Sequence, residues 1–295
     1  MWWSWNLPPS EAREPFPFLS IVITVRNEEA HLASLLESLV SQEPPFEIVL
    51  VDALSTDRTW SIAQEYASRY PGLLRIFRAR GHRGAGRNLG VHHARGSAVV
   101  FIDGDCIAQP GWLARMREAL SQAPVAAGRT GATGPQAFSR LERVELYQSG
   151  KDVTYPSCNL GYQRDLFDRL GGFDDRFVTA EDIDLNLRAV RSGATIVYAP
   201  EARVLHQMRS TLPRFLLQAF WNGYGRKQLT EKHGQLWAHY RYRQMLQSQR
   251  SPLAYARLAA ALAGYFTRLL TALGTDRRIP PEGRGNSRAD RPQEA

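Results

Sequence analysis

The stretch "SAVVFIDGDC" (97–106) is a β-branched, apolar run that ends abruptly on two aspartates separated by one glycine. A short apolar run bounded by a turn signal predicts a buried strand, here over 97–103. Asp-Gly is a strong hairpin signal, but the helix-like "PGWLARMREAL" (110–120) follows it instead of a second strand. The alternative is a metal site, because two carboxylates two residues apart can converge on one hard divalent cation.

Three similar runs precede this one, and a segment with helical periodicity follows each of them. The predicted strands are 19–25, 46–52 and 73–77, and the predicted helices are 28–41, 56–69 (with Ser55 or Thr56 as N-cap) and 85–95. Strands that alternate with helices predict βαβ units and a parallel sheet covered on both faces. Ligands of such sheets bind at the carboxyl ends of the strands, where Asp52, Asp103 and "VRNEE" (25–29) fall.

The composition is that of a globular protein, with 43% hydrophobic and 22% charged residues among 295. Two cysteines without a CxxC pair argue against a disulfide framework or a zinc module and fit a reducing compartment. The aromatic, Pro-rich start does not resemble a secretory signal, and no apolar run reaches about 18 residues. We therefore expect a cytoplasmic protein.

The net charge of +8 is unevenly distributed, since residues 201–295 contain 16 Lys and Arg against 6 Asp and Glu. This basic third predicts an anionic partner, namely a phosphorylated substrate, an anionic membrane surface or nucleic acid, or else a solvated surface. The segment 252–274 has a helical pattern whose charges are Arg257 and Arg268. It predicts either a helix in a membrane interface, with the protein peripheral on the cytoplasmic face, or a helix packed on the domain.

Four stretches resemble, in order, the motifs of family 2 glycosyltransferases. They are "SIVITVRNEE" (20–29), "EIVLVDALSTDRT" (47–59), "RGAGRNLGVHHARGSAVVFIDGDC" (83–106) and "GGFDDRFVTAEDIDLNLRAVRSGATIVYAPEARVLH" (171–206). The resemblance implies the GT-A fold, an α/β architecture with a mostly parallel sheet flanked by helices, here with a helical C-terminal region. It also implies transfer of a sugar from a nucleotide-diphosphate sugar to an acceptor hydroxyl, with inversion.

The resemblance divides the chain into regions. The glycosyltransferase domain is expected over 18–230, with a nucleotide-binding half (18–106) and an acceptor-binding half (107–230). The remaining regions are a flexible N-terminal segment (1–17), a helical extension that is a candidate for membrane association (231–278) and a disordered tail (279–295).

The resemblance assigns nucleoside binding to the loops after the first two strands. It implies that Thr24, Arg26 and Glu28 hold the nucleoside, and that Asp52 accepts from the N–H of a uracil or guanine base. From the residues alone, Glu28 can instead favour a helix N-terminus, and Asp52 can cap the next turn. "DALSTD" (52–57) departs from the family's Asp-Gly at this point, which leaves the base identity open.

The resemblance also assigns the diphosphate and the metal. Arg87 and Asn88 match the family's "ARN", and Arg87 is a candidate contact of the donor diphosphate at a helix start; a surface arginine is the alternative. The resemblance implies Mg²⁺ or Mn²⁺ on Asp105, with Asp103 as a further ligand or near the ribose. His206, expected just after a strand, is a candidate metal ligand or a structural histidine.

"TAED" (179–182) has two interpretations. Thr179 as N-cap with Asp182 at the third helical position resembles a capping box. However, three acids within four residues repel one another and raise a pKa, which suits a general base. The resemblance implies that Asp182 is the base and that Glu181 orients the acceptor or its loop.

The segment "QAFWNGYGRKQL" (218–229) is aromatic and basic, and we expect Trp221 and Arg226 to line the acceptor site, with simple packing as the alternative. The expected acceptor is a glycan, a lipid-linked molecule or a small molecule. Two rival functions are a nucleotidyltransferase with a metal–carboxylate site and a non-catalytic protein that binds polyanions or a lipid surface. The ordered acidic strand ends favour the glycosyltransferase, for which no nucleic-acid partner is expected.

Overall fold

A computed structural model describes residues 18–133, 144–207, 211–234, 236 and 251–274. The predicted N-terminal segment 1–17 and the predicted tail 279–295 lie outside these residues.

The described strands alternate with helices through the first half of the chain, as the sequence predicts. The strands are β1 Leu19–Val25, β2 Phe46–Asp52, β3 Leu74–Arg78, β4 Ala98–Asp103, β5 Cys106–Ala108, β6 Val125–Thr133, β7 Tyr147–Gln148, β8 Lys151–Asp152, β9 Leu160–Gln163 and β10 Ile196–Gln207. The α-helices are α1 Leu32–Val40, α2 Thr59–Arg69, α3 Arg83–His93, α4 Trp112–Gln122, α5 Arg164–Arg169, α6 Glu181–Arg191, α7 Leu212–His233 and α8 Pro252–Gly274.

Eight of these strands form one mainly parallel sheet in the order β3-β2-β1-β4-β9-β6-β10-β5. β1 pairs in parallel with both β2 and β4, whereas β9 is antiparallel to β4 and β6. In this register Thr24 lies beside Asp103, and Val25 lies beside Asp52. The carboxyl ends of β1, β2 and β4 are therefore level, which brings their polar residues to one edge, and the predicted α/β architecture with a mostly parallel sheet is confirmed.

The sheet is covered by helices on both faces because its strands are apolar on both sides. Ile21 and Ile23 pack with α1 and α4 on one face, and Val22 packs with α3 and α6 on the other. The helix α3 lies very close to β1, since a Cβ on Gly86 would stand 2.9 Å from Thr24 Cγ2. This close contact brings α3 and its polar residues to the carboxyl edge of the sheet.

The predicted starts of the first three helices are wrong by two to four residues. α1 begins at Leu32 instead of 28, α2 begins at Thr59 instead of 56, and α3 begins at Arg83 instead of 85. α1 and α2 begin later than predicted because hydrogen bonds join the loop after β1 to the segment after β2. The hydroxyls of Ser55 and Thr59 accept from the backbone N–H groups of Asn27 (2.9 Å) and Glu28 (2.7 Å), so Ser55 does not cap α2, and Arg58 occupies its N-cap.

The helix predicted over 252–274 is present, and it packs on α7. Its Gly264 faces the Phe220 carbonyl and Gly223 of α7 faces the Ala261 carbonyl, so closely that a Cβ on either glycine would overlap the partner helix. Arg268 donates to Glu231 at 2.7 Å. Among the described residues no helix is long and apolar enough to cross a bilayer.

Candidate active site

The turn Asp103-Gly104-Asp105 joins β4 to β5 at the edge of the sheet where the carboxyl ends of β1, β2 and β4 lie. The hairpin alternative is wrong, because β5 pairs with β10 and not with β4. A Cβ on Gly104 would stand 2.8 Å from Val25 Cγ1 and 3.1 Å from Glu28 Cγ. The glycine is therefore required for space, and it lets the turn pack against the loop that follows β1.

Asp105 lies beside His206, whose Nε2 is 3.3 Å from Asp105 Oδ1. The expectation that His206 follows a strand is wrong, since β10 continues to Gln207 by pairing with β5 and β6. Burial disfavours the imidazolium, but the hydrogen bond and the charge of Asp105 outweigh it and raise the pKa of His206 to about 9. The ligand atoms of Asp105, Cys106 and His206 all lie within 4.8 Å of one another, so this is a possible metal centre.

Arg87 connects two of the predicted site carboxylates. The side chain is only 1% exposed, and it donates to Asp103 Oδ1 at 2.7 Å and to Glu181 Oε1 at 2.6 Å. Burial disfavours ionisation of Asp103, but the charge of Arg87 outweighs it and lowers the pKa of that carboxyl. The guanidinium thus holds the end of β4 against the start of α6, and its contact with a donor diphosphate stays a prediction.

Asp182 occupies the first turn of α6 and is half-buried. The predicted capping box is wrong, because Ala180 is the N-cap, in the left-handed region at φ 66°, and makes no side-chain capping bond. Asp182 Oδ2 accepts from the backbone N–H of Ser157 at 3.1 Å. Burial and the neighbouring charge of Glu181 raise the pKa of Asp182 to about 6, which is the property expected of a general base at neutral pH.

The loops around this edge hold strained backbone at three non-glycine residues. Asn27 (φ 56°), Leu54 (φ 56°) and Ala180 (φ 66°) all have left-handed backbone. Each such residue costs about 1–3 kcal/mol, and such residues cluster at ligand-binding and catalytic sites. Asn27 Oδ1 also accepts from the Thr56 backbone N–H at 2.9 Å, which ties together the two loops that carry the predicted nucleoside-binding residues.

The predicted nucleoside-binding residues lie at the carboxyl ends of β1 and β2 or in the loop after β1, and they differ in accessibility. Arg26 is exposed, Thr24 and Glu28 are half-buried, and Asp52 is fully buried. The Asp52 carboxylate accepts from the Ser55 hydroxyl and from Arg78 Nε at 2.8 Å. Asp52 is therefore held by protein donors, and its contact with a base stays a prediction.

Asn88 makes two hydrogen bonds to the backbone of Phe173. Its amide nitrogen donates to the Phe173 carbonyl at 2.7 Å, and its amide oxygen accepts from the Phe173 backbone N–H at 2.9 Å. The side chain thereby fixes α3 to the loop that leads to α6. Its predicted contact with the donor is not tested by this geometry.

Trp221 and Arg226 lie on α7, which borders the loop before Asp182. A Cβ on Gly225 would stand 2.7 Å from the Thr179 carbonyl oxygen, so the helix touches this loop directly. Trp221 is 39% exposed and stacks edge-on against Tyr224, while Arg226 donates to the Val144 carbonyl at 2.9 Å. Their position is compatible with an acceptor site.

A buried ionic network that no local sequence pattern predicts lies behind α6. Asp184 lies 2.8 Å from Lys232 Nζ and 2.7 Å from His233 Nε2. Lys232 also binds Asp174 at 2.9 Å. Lys232 and His233 come from the end of α7, so the network fastens α7 to the helix that carries Asp182.

The comparisons with known proteins agree with this fold. The model of glycosyl transferase family 2 matches residues 20–171, and that of glycosyl transferase family group 2 matches 99–275. The chain belongs to glycosyl transferase family 2. It is a glycosyltransferase with the GT-A fold, and not one of the two rival classes.

Among curated proteins, the chain is 27% identical over 206 residues to the glycosyltransferase AglE of Haloferax volcanii, covering 65% of this chain and 68% of that protein. The match spans 61% and 54% of the length of two further curated relatives, both from Bacillus subtilis.

Solved structures share the fold at low sequence identity. S. aureus TarS in complex with UDP has a TM-score of 0.54 and 18% identity, covering 88% of this chain and 93% of that one. The mannosyltransferase PcManGT from Pyrobaculum calidifontis, in complex with GDP-Man and Mn²⁺, has a TM-score of 0.58 and 17% identity, covering 87% of this chain and 75% of that one.

Proposed function

We propose that this protein is an inverting, metal-dependent glycosyltransferase that uses Asp182 as its general base. The observation that supports it best is the raised pKa of Asp182 at the first turn of α6, beside Glu181 and Arg87. Through Arg87 the base-bearing helix is fixed to Asp103, at the edge where the candidate metal ligands lie. The base and the metal carboxylates therefore belong to one rigid site.

The donor set fits a divalent ion. Asp105 and His206 offer an oxygen and a nitrogen within 3.3 Å of each other, and Asp103 is two residues away. Mg²⁺ and Mn²⁺ take carboxylate oxygens and keep positions for phosphate oxygens, and the PcManGT structure contains Mn²⁺. When bound, the ion supplies charge neutralisation for the leaving nucleoside diphosphate.

The chemical step is a single displacement. Ionised Asp182 takes the proton of the acceptor hydroxyl as the oxygen attacks the anomeric carbon, and the bond from that carbon to the diphosphate breaks on the opposite side. One in-line attack inverts the anomeric centre. Glu181 is held in place by Arg87. Its negative charge lies beside Asp182 and helps to keep the pKa of Asp182 raised.

The donor is a UDP- or GDP-sugar, held by the loops after β1 and β2. TarS was solved with UDP and UDP-GlcNAc and PcManGT with GDP-Man, which supports this class of donor. Thr24, Arg26 and Glu28 face the nucleoside. Trp221 and Arg226 lie on the acceptor side, and the names of relatives such as poly(ribitol-phosphate) beta-glucosyltransferase from Bacillus spizizenii support a cell-envelope glycan as acceptor.

The protein associates peripherally with an anionic membrane through α8. The helix exposes an apolar stripe with helical spacing, at Tyr255, Leu258, Leu262, Phe266 and Leu270, the last of them 67% exposed. A charge-free apolar stripe of this kind suits the boundary between headgroups and acyl chains. The basic residues of 201–295 add electrostatic attraction.

A thermal-shift panel tests the function. The protein is heated with UDP-, GDP-, dTDP- and CMP-sugars, each with and without Mn²⁺, and we expect one UDP- or GDP-sugar to stabilise it in a metal-dependent way. The same donor should be hydrolysed or transferred by the wild type and not by Asp182→Asn. Stabilisation by nucleoside triphosphates alone, or full transfer by Asp182→Asn, would contradict the proposal.

Vesicle flotation tests the membrane contact. We expect the protein to float with phosphatidylglycerol vesicles, and the double variant Leu262→Ser/Phe266→Ser to remain in the soluble fraction with unchanged thermal stability. Thr267→Ser on the same helix is the matched control. Equal flotation of the wild type and the double variant would exclude α8 as the contact.

A further inference from the structure

Arg78 is the last residue of β3, at the edge of the sheet that carries the candidate site. In the parallel register of β2 and β3 it lies beside Asp52, which in turn lies beside Val25 of β1. The carboxyl end of β3 is therefore level with those of β1 and β2. This position brings the Arg78 side chain next to the loops to which the proposed function assigns the nucleoside.

Asp52 has no exposed surface through which a base could contact it. The residue is fully buried, and its two carboxylate oxygens accept from the Ser55 backbone N–H, from the Ser55 hydroxyl and from Arg78 Nε at 2.8 Å. The Arg78 side chain, by contrast, is 37% exposed. A base that binds at this end of β2 can therefore contact the guanidinium and not the buried carboxylate.

Three contacts fix the plane of the Arg78 guanidinium. Nε donates to Asp52, Nη2 donates to the Ser55 carbonyl at 3.1 Å, and Cζ lies 4.8 Å from the centroid of the Trp60 ring. The two hydrogen bonds use two of the five N–H groups of an arginine. The other three, two on Nη1 and one on Nη2, have no acceptor in the part of the chain that the structure describes.

The free N–H groups of Arg78 form a planar, two-pronged donor. Because the guanidinium is flat, one N–H of Nη1 and one of Nη2 run parallel at its outer end. The contacts with Asp52, Ser55 and Trp60 hold this end in place before any ligand arrives. A ligand with two adjacent acceptors therefore binds at a low cost in side-chain entropy.

We propose that this donor pair binds O6 and N7 of guanine, so that Arg78 selects a GDP-sugar as the donor. The inference rests on the proposed function, because it concerns the base of the same donor. Guanine offers two acceptors side by side on one edge, whereas adenine offers N7 beside an amino group and uracil offers O4 beside a C–H group. Asp52 is then a positioning residue that acts on the base through Arg78.

Nucleotide binding by the full chain tests the assignment, with GDP, ADP and UDP as probes in the presence of Mn²⁺. The wild type should bind GDP more tightly than ADP and UDP by roughly 5- to 150-fold, the range for one bidentate contact with a base. Arg78→Lys keeps a positive charge beside Asp52 but removes the planar fork, and it should reduce this preference to less than about threefold. A purely structural role of Arg78 would instead lower all three affinities alike.

Arg75→Lys is the matched control for this variant. Arg75 lies near the other end of β3, has a side chain that is 31% exposed, and binds the buried Glu47 at 2.8 Å. The substitution thus makes the same chemical change beside another buried carboxylate, away from the site edge. It should keep the preference of the wild type for GDP.

An analogue of GDP tests the contacted edge of the base without any variant. 7-Deaza-GDP has a C–H group in place of N7, and it should bind the wild type at least about fivefold more weakly than GDP, since a hydrogen bond to a charged donor is lost. Equal binding of the two, an unchanged preference in Arg78→Lys, or tighter binding of UDP than of GDP would overturn the role of Arg78 and leave the proposed transferase intact. If no nucleoside diphosphate binds, the transferase itself is contradicted.

Discussion

Arg87 Nη1 and Glu181 Oε1 lie 2.6 Å apart, both side chains are buried, and 94 positions separate them in the chain. The other terminal nitrogen of Arg87 binds Asp103. One guanidinium therefore connects the end of β4 with the first turn of α6. The two carboxylates that it neutralises are both predicted site residues, so fold stability and site geometry depend on the same side chain.

Replacing Arg87 should destabilise the fold strongly. Arg87→Met removes the partner of two carboxylates, and breaking a buried pair costs about 3–5 kcal/mol. Urea denaturation at pH 7 measures the change. Arg58→Ala, which breaks the exposed pair with Glu29, is the control and should cost less than about 1 kcal/mol. Equal stability of the two variants would contradict a neutralising role for Arg87.

The transfer rate should follow the ionisation of Asp182. Because burial and Glu181 raise the pKa of this carboxyl to about 6, the base is ionised at pH 8 and protonated at pH 5. We expect kcat to be flat above pH 7 and to fall roughly tenfold per pH unit on the acid side. A profile of kcat from pH 5 to 9 measures it, and a flat profile would exclude Asp182.

Glu181→Gln should shift this acid limb to lower pH. The variant removes the negative charge that raises the pKa of Asp182. It also leaves the positive charge of Arg87 less neutralised beside Asp182, and this charge lowers the pKa of Asp182 further. The check is the pH midpoint of kcat, compared with that of Glu37→Gln, a change on α1. If the limb moves to higher pH, the electrostatic account of the base is wrong.

Gly104→Ala should weaken binding of the metal and the donor more than it weakens the fold. The new Cβ would collide with Val25 and press on Glu28, so the turn that carries Asp103 and Asp105 must move. Mn²⁺ and donor affinity are measured by calorimetry. Gly193→Ala, just after α6, with φ 90° and open space around it, is the control and should cost about 1–2 kcal/mol of stability without changing affinity.

Lys232→Met should make the protein more sensitive to acid. Burial opposes ionisation of Asp174 and Asp184, but hydrogen bonds and charges that include Lys232 lower the pKa of both. Carboxyls with lowered pKa contribute stability above their unfolded pKa of about 4, and this stability is lost as the pH falls. Without Lys232 both pKa values rise, so acid unfolding should begin at a higher pH.

Circular dichroism during acid titration measures the Lys232→Met effect. Lys227→Met on the same helix is the matched control, because Lys227 lies over the Tyr265 ring instead of a carboxylate pair. Identical acid midpoints for the two variants would show that the network does not fasten α7 to α6.

The strand pattern was predictable because local sequence determines it. Four apolar, β-branched runs predict the first four strands to within one residue. Strands that are buried on both faces are apolar along nearly their whole length, so they are visible in the sequence. The alternation with helices then fixed which ends carry Asp52 and Asp103. The fold and the edge that holds the site were therefore accessible from sequence.

The helix starts and the neighbours of the site were not predictable in the same way. The sequence predicts Ser55 as a helix N-cap, but its hydroxyl accepts a hydrogen bond from the Asn27 N–H of another loop. Ser157, which binds Asp182, and Lys232, which binds Asp184, are distant in sequence and belong to no local pattern. Contacts of this kind exist only once the sheet has brought distant segments together.

The buried arginine also constrains how this enzyme can be recombined with its relatives. Asp103 belongs to the half predicted to bind the nucleotide, Glu181 belongs to the half predicted to bind the acceptor, and Arg87 is shared between them. A chimaera that exchanges one half for that of a relative must preserve all three residues or exchange them as a set. Otherwise the junction would bury a charge that has no counterpart.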